Sequence, residues 1–379
     1  MGSKKRCLII KNDGIGDLVL ASGLISEISK GFANTVLVTC IQNKEVAEAI
    51  PGVTQHFYCS RDSLKFHRSA RMFGINHSTG TVDDKQLLKR LRQEQFDVAI
   101  ILRRYIREST FAMMNVVHAR EKYCCWQMPT NVTTEIAHRH SRGWEHREGD
   151  IGLLSESSYF QHFLQDLFQR PFPCQPQLNF EIDPAGKSAH RTVGLGMGGY
   201  RRWPLGYWIE LARKLHEDGW ELHLFGGADG AHRAQVLEDR FAHCVNHVGK
   251  LDLRQSANAF SRLTAYIGND TGLSHLAAMY VTTSLIVIGG GGFNRFFPWP
   301  ETEGKQFIVH HGLDCYDCSW DPCIYGDQRC IYFISAVDVY EYFQQIVAGE
   351  APQYRNLNPN PTEYCLTGTS VKRKLDATS

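Results

Sequence analysis

No stretch of this chain approaches the roughly 20 consecutive apolar residues that a membrane-spanning helix needs. The start, Met1-Gly2-Ser3-Lys4-Lys5-Arg6, leads straight into a strand candidate, with no apolar signal-peptide segment behind it. Position 6 is Arg rather than Ser or Thr, so the N-myristoylation pattern is not met. These absences predict a cytoplasmic protein. An excess of one charge is lacking too. The 41 Lys and Arg stand against 40 Asp and Glu, a net charge of +1, so nothing argues for nucleic acid as a partner and any anion site must be local. The dinucleotide fingerprint G-x-G-x-x-G is also missing, because the first glycine turn holds only Gly14 and Gly16 before its helix. An NAD-linked oxidoreductase is disfavoured on that ground.

Cysteine, by contrast, is plentiful. Of 12 cysteines, Cys315, Cys318, Cys323 and Cys330 follow one another with the spacing C-x2-C-x4-C-x6-C. In a reducing compartment such a cluster reads more readily as a metal site than as a disulfide set. Four thiolates could gather round one zinc or iron and hold a loop that lacks its own core. Asp314, Asp317, Asp321 and Asp327 make the same segment acidic, which equally suits a solvated loop with free thiols. No His or carboxylate completes an open coordination site there, so a catalytic metal is not expected.

Two strand-to-helix turns carry the functional signal. Asn269-Asp270-Thr271-Gly272-Leu273-Ser274-His275 follows the apolar strand Ala265-Tyr266-Ile267 and opens a small-residue helix. Asp270 is predicted to cap that helix, Gly272 lets backbone approach a ligand, and the free N–H groups suit a phosphate. Alone, the stretch would equally be an ordinary N-cap. Near the N-terminus, Cys7-Leu8-Ile9-Ile10-Lys11 reads as a buried strand and Asn12-Asp13-Gly14-Ile15-Gly16-Asp17 as its turn. Leu18, Ala21, Ile25 and Ile28 then recur at helical spacing. Asp17 thus sits at the carboxyl end of the first strand, where α/β proteins place ligands. The plain alternative is a partner for the helix dipole.

Length and alternation place both turns in an α/β protein of two domains. A chain of 379 residues exceeds one ordinary core. Strand candidates at 36–40, 57–59 and 96–102 alternate with helices at 45–50 and 84–92, which implies a parallel sheet covered by helices. Residues 103–150 are less regular and rich in His and Arg, either solvated loops or a surface that meets something anionic. A helix over 155–168 is followed by Pro171, Pro173 and Pro176 and by Asp183-Pro184-Ala185-Gly186, which read as the linker. Alternation restarts at 192 and runs to a late helix over 337–347. The expected domains are therefore 1–175 and 186–348, the latter with a Cys-rich loop over 315–330. A polar, Pro-containing tail over 349–379 is expected to be poorly ordered.

Four separated features carry a resemblance. They are Gly14-Ile15-Gly16-Asp17-Leu18-Val19-Leu20, Gly196-Met197-Gly198-Gly199-Tyr200-Arg201-Arg202-Trp203-Pro204, Asn269 through Ala278, and the four-cysteine stretch. In this order they resemble the family 9 glycosyltransferases, the lipopolysaccharide-core heptosyltransferases and their relatives. The resemblance implies a GT-B architecture, two Rossmann-like domains with parallel sheets facing across a cleft. It also implies an inverting transfer of heptose or a similar sugar from a nucleotide-diphosphate donor, ADP-heptose being favoured, with no cofactor required for catalysis. The acceptor would be a cell-envelope glycan or lipid, or a protein as in the autotransporter heptosyltransferases, with peripheral contact at the cytoplasmic face of the inner membrane.

By the same resemblance Asp17 is the general base on the acceptor hydroxyl, with Gly14 and Gly16 forming the acceptor-side turn. Arg201, Arg202, Asp229, Asp270, Thr271, Gly272 and His275 fall to the donor. His275 would otherwise be a packed helix histidine. The family often has Thr or Ser ahead of the basic residue, where this chain has Gly196-Met197-Gly198-Gly199, so backbone N–H groups would replace hydroxyls. A non-catalytic sugar-nucleotide-binding α/β protein and a sugar-nucleotide epimerase on the same fold are the rival readings.

Overall fold

The computed structural model describes residues 5–60, 84–105, 108–127, 143–147, 155–183, 186, 191–199, 203–315, 323 and 325–358. The chain forms two compact units, one of Met1–Gly152 with Glu156–Asn179, the other of Leu153–Ser155 with Phe180–Ser379.

The first unit alternates strand and helix: β1 (Arg6–Ile10), α1 (Ile15–Ser29), β2 (Asn34–Cys40), α2 (Lys44–Glu48), β3 (Gln55–Cys59), α3 (Asp84–Gln93), β4 (Gln95–Tyr105), α4 (Glu108–Met114), β5 (His118–Gln127), β6 (Glu145–His146) and α5 (Glu156–Phe168). The six strands lie in the order β3-β2-β1-β4-β5-β6, and every pairing is parallel. Cys7, Leu8, Ile9 and Ile10 are all wholly buried, as expected of a central parallel strand covered on both faces. Helix α1 is apolar nearly all round and buries Leu18, Val19, Leu20, Leu24, Ile25 and Ile28. Gly23 faces the backbone of Gln175 with no room for a Cβ, and Ser22 Oγ accepts from Gln177 N–H at 2.8 Å. The segment after α5 is thereby strapped along α1.

The second unit contains β7 (Thr192–Gly196), α6 (Leu205–Glu217), β8 (Glu221–Phe225), α7 (Ala231–Glu238), β9 (Val245–Asn246), α8 (Leu253–Ser261), β10 (Ala265–Asn269), α9 (Gly272–Tyr280), β11 (Thr283–Val287), β12 (Gln306–His310), α10 (Arg329–Tyr332), α11 (Ala336–Ala348) and β13 (Tyr354–Asn356). Its strand order is β13-β12-β11-β10-β7-β8-β9, again all parallel. Trp203 and Trp208 meet edge to face at 4.9 Å in its core. The indole N–H of Trp203 is satisfied by the carbonyl of Ile334 at 2.7 Å, so the Trp-Pro element is an anchor for the unit.

Two expectations are corrected. Arg103 and Arg104 are not in solvated loops: β4 runs on through Tyr105 and buries both, and α4 and β5 follow. The alternation was hidden there because Arg, Glu and Lys occupy strand positions that tertiary contacts satisfy. The chain after Gly349 also forms a strand, β13, while the rest of the expected tail, 359–379, lies outside the described residues. Tyr354, Arg355 and Asn356 pair with Ile308, Val309 and His310, and Asn358 Nδ2 donates to the carbonyl of Gly312. Three residues are too few to show a period of two. None of the described helices is long and apolar enough to cross a membrane.

Candidate functional site

In each sheet the chain order reverses once, between β1 and β4 in the first unit and between β7 and β10 in the second. Open α/β sheets bind ligands outside the carboxyl ends of the strands at such switch points. Both sequence turns fall there.

In the first unit Asp17 occupies the third position of α1. Its Oδ2 accepts the Gly14 N–H at 3.1 Å, half of a capping box, which fixes the carboxylate at the helix mouth. The residues around it were not singled out from sequence. Lys11 is wholly buried; its Nζ donates to Asp13 Oδ2 at 2.9 Å, stands 4.0 Å from Glu156 Oε1 and lies 4.5 Å from the centre of the Phe160 ring. The carboxylates of Asp13, Asp17 and Glu156 lie within 4.8 Å of one another, a set that could hold a cation. Here the Lys11 ammonium supplies the positive charge. Burial pulls Lys11 down, but the charges of Asp13, Asp17 and Glu156 outweigh it and leave its pKa above the ordinary lysine value.

The turn is pinned from several elements. Arg103 Nη1 donates to the carbonyl of Asn12 at 2.6 Å and Thr39 Oγ1 to that of Lys11 at 2.8 Å, while Asn43 Nδ2 donates to that of Asp13 at 3.0 Å. Arg104 Nη1 lies 4.0 Å from Glu156 Oε2. A lysine at the end of an apolar strand was the available signal for this cluster. Glu156 lies 139 positions beyond Asp17 in the chain, and only folding brings it there.

In the second unit three strand ends meet. Gly198, after β7, packs on the backbone of Gly226 and Gly227, after β8, where an added Cβ would lie 3.3 Å from Gly226 Cα. Gly199 has φ +97°, and its Cβ would fall 2.5 Å from Thr271 Cγ2. Both a left-handed backbone and close approach therefore demand glycine. The cap of α9 is Thr271 rather than Asp270: Thr271 is extended and its Oγ1 accepts the Ser274 N–H at 3.2 Å, because the helix begins at Gly272. The N–H groups of Gly272 and Leu273 have no partner within the helix.

Asp270 stands just outside that mouth, backed by Gly292, whose hypothetical Cβ would collide with it. His275 is buried one turn in, stacked on Phe297 at 4.1 Å. It faces aromatic rings and Asp270 rather than solvent, the packing that the alternative of a packed helix histidine describes. Asp229 is exposed in a single 3₁₀ turn after β8. Arg201, Arg202 and Cys318 lie outside the described residues. Cys330 is buried in the core of this unit, Cys315 and Cys323 are partly exposed, and these three do not gather into a set.

Residues 198–309, which hold the glycine turn and α9, match the model of Glycosyltransferase family 9 (heptosyltransferase). Lipooligosaccharide heptosyltransferase 2 of Haemophilus influenzae is 23% identical over 316 residues, which cover 77% of this chain and 85% of that protein. Lipopolysaccharide heptosyltransferase 2 of Salmonella typhimurium is 32% identical over 110 residues, 28% of this chain and 31% of that protein. Among solved structures, a family 9 glycosyl transferase of Veillonella parvula has a TM-score of 0.69 at 15% identity, covering 91% of this chain and 98% of its own. ADP-heptose lps heptosyltransferase II of E. coli has a TM-score of 0.64 at 15% identity, over 91% and 99% of the two chains. The structural likeness shows the fold, the GT-B architecture of two parallel-sheet α/β units. The matched span and the sequence relatives show the rest: the chain carries a glycosyltransferase family 9 domain and is a heptosyltransferase-like glycosyltransferase.

Proposed function

We propose that this enzyme moves a heptose, or a similar sugar, from ADP-heptose to a hydroxyl of a lipopolysaccharide-core or other cell-envelope acceptor in the cytoplasm. The observation that carries the reading is the second switch point, where the family 9 span places a glycine-lined turn beside the open N-terminus of α9. Backbone N–H groups and the helix dipole suit a diphosphate, and glycines let it approach the chain. ADP-heptose is favoured because one heptosyltransferase of this fold, WaaC of E. coli, has solved structures described with ADP and with ADP-2-deoxy-2-fluoro heptose.

In this reading the second unit holds the donor through Asp270, Thr271 and Gly272, with Arg201 or Arg202 on the diphosphate and Asp229 near the ribose. Asp17, on the Gly14–Gly16 turn, takes the acceptor proton as the new glycosidic bond forms. A sugar hydroxyl is a poor nucleophile, and a carboxylate within hydrogen-bond reach removes that obstacle. The glycosidic C–O bond to the donor phosphate breaks in the same displacement, so configuration inverts and ADP leaves with the bonding electrons. The negative charge that builds on the diphosphate meets the Arg201 or Arg202 guanidinium and the α9 N-terminus, groups that need no divalent cation.

Calorimetry with ADP-heptose, other sugar nucleotides and NAD, followed by transfer assays on truncated core acceptors, tests the proposal. Equal indifference to every sugar nucleotide would sink it. Donor binding with transfer only to a protein acceptor would move the enzyme to the protein-modifying class.

A further inference from the structure

The wall behind Asp270 comes from the loop between β11 and β12. Trp299 lies almost parallel to the His275 imidazole, 3° off at 6.0 Å, with Phe297 stacked closer on the same ring. Its backbone is pinned at both ends: the N–H donates to Gln306 Oε1 at 2.9 Å and the carbonyl accepts from Thr302 Oγ1 at 2.6 Å. The indole has little freedom, and its Nε1–H donates to His275 Nδ1 at 3.2 Å.

That one bond decides the state of the histidine. An indole N–H can only donate, so Nδ1 must accept and the ring proton sits on Nε2. An imidazolium would set two donors against each other. The 3.7 Å approach of His275 Nε2 to Asp270 Oδ1 is therefore a neutral N–H facing a carboxylate, not an ion pair. Burial acts in the same direction, holding the His275 pKa down to about 3. At 3.7 Å the contact is longer than a formed hydrogen bond. Such contacts commonly tighten once substrate binds.

We propose that Trp299 is a positioning residue for the donor: it locks His275 as the Nε2–H tautomer, which orients Asp270 at the mouth of α9. The proposal rests on the reading that Asp270 contacts the donor. Trp299 itself acts through His275, two contacts away from any substrate.

Nitrogen-15 NMR of histidine-labelled protein reads the lock directly. The expected result is a His275 with bare Nδ1 and protonated Nε2, unchanged between pH 5 and pH 8. A Nδ1–H tautomer, or titration in that range, overturns the proposal whatever the donor is. Trp299→Phe keeps the stack and removes the N–H. It should release the tautomer into a mixture and weaken ADP-heptose binding by about fivefold, the worth of roughly one hydrogen bond. His275→Gln, which keeps an N–H donor, should bind ADP-heptose more tightly than His275→Ala. Asp270→Asn separates the two levels. If it weakens binding while Trp299→Phe does not, the relay is wrong and the donor reading stands. If Asp270→Asn binds as well as wild type, the donor reading itself fails and takes the relay with it.

Discussion

The two switch points solve opposite electrostatic problems with opposite materials. The first-unit turn is dense in charge: three carboxylates around one wholly buried lysine, with Arg103 and Arg104 behind it. The second-unit turn is built from Gly198, Gly199, Gly226 and Gly227 against Thr271, and its polarity comes from backbone. A carboxylate that must stay ionised beside other carboxylates needs a fixed counter-charge. A diphosphate brings its own charge and needs room and N–H groups. In the proposed function, the same fold position serves base chemistry where it is charged and phosphate binding where it is bare.

The largest expected effect tests the charged side. Asp17→Asn should lower transfer by about 10² to 10⁴-fold, the range for loss of a general base. Calorimetry should show donor affinity nearly unchanged, since the donor is assigned to the other unit. Wild-type turnover would reduce Asp17 to a helix-start charge. Lys11→Met comes next. Removing the cation takes from the buried Glu156 and the partly buried Asp13 a counter-charge that Arg104, 4.0 Å from Glu156, replaces only in part, a loss of up to about 3–5 kcal/mol in folding stability by denaturant melts. The paired change Lys11→Met with Glu156→Gln should recover part of that loss. No recovery would mean that Lys11 does not balance Glu156.

On the bare side, Gly199→Ala meets both a φ of +97° and the Thr271 side chain. A cost of about 1–3 kcal/mol is expected, divided between stability and ADP-heptose affinity. Gly206, in the first turn of α6, has nothing within 4 Å of an added Cβ. Gly206→Ala is the control and should leave both unchanged. If the two variants behave alike, close approach at the glycine turn is not what the site depends on.

How much of this was legible in sequence divides along the same line. Glycine, Asp and Thr beside a strand are local signals, so both turns, the strands that lead into them and the two-unit α/β alternation could be read directly. The cluster around Asp17 could not, because Glu156 and Arg104 reach it only through β4 and α5. Trp299 was invisible for the same reason: its role lies in a bond to a residue 24 positions earlier. Helix capping was misplaced by one residue, since Asp270 and Thr271 are both good caps and only the backbone decides between them. Arg103 and Arg104 misled because charge reads as exposure, while the fold buries them beside the switch point.

Acid should sharpen the contrast further. His275 and His310, both buried in the second unit, are held by burial at about 3 and about 4, against an ordinary 6.5. The unfolded chain takes up their protons below pH 6.5 and the native state does not until far lower. Stability therefore falls as pH drops from 6.5 towards 4, by about 1.4 kcal/mol per pH unit for each histidine. Lys11 adds nothing in that window, since its raised pKa costs stability only in strong alkali. Denaturant melts at pH 7, 6 and 5 should show the slope, and His310→Phe should flatten it. A flat profile in wild type would mean these rings titrate normally.

The smallest expected effect concerns the cysteines, which belong to neither turn. Cys330 is packed with Ile331 and Ile334 in the second core, and Cys315, Cys323 and Cys330 do not converge as zinc or iron ligands must. Protein purified without an affinity metal should hold less than about a tenth of an equivalent of zinc or iron. Chelator should then leave Tm and ADP-heptose affinity where they were. Stoichiometric metal, lost on chelation together with thermal stability, would instead show that Cys318 completes a structural site with them. The second unit would then carry a fixed charge of its own, and the contrast between a charged turn and a bare one would hold only for the turns themselves.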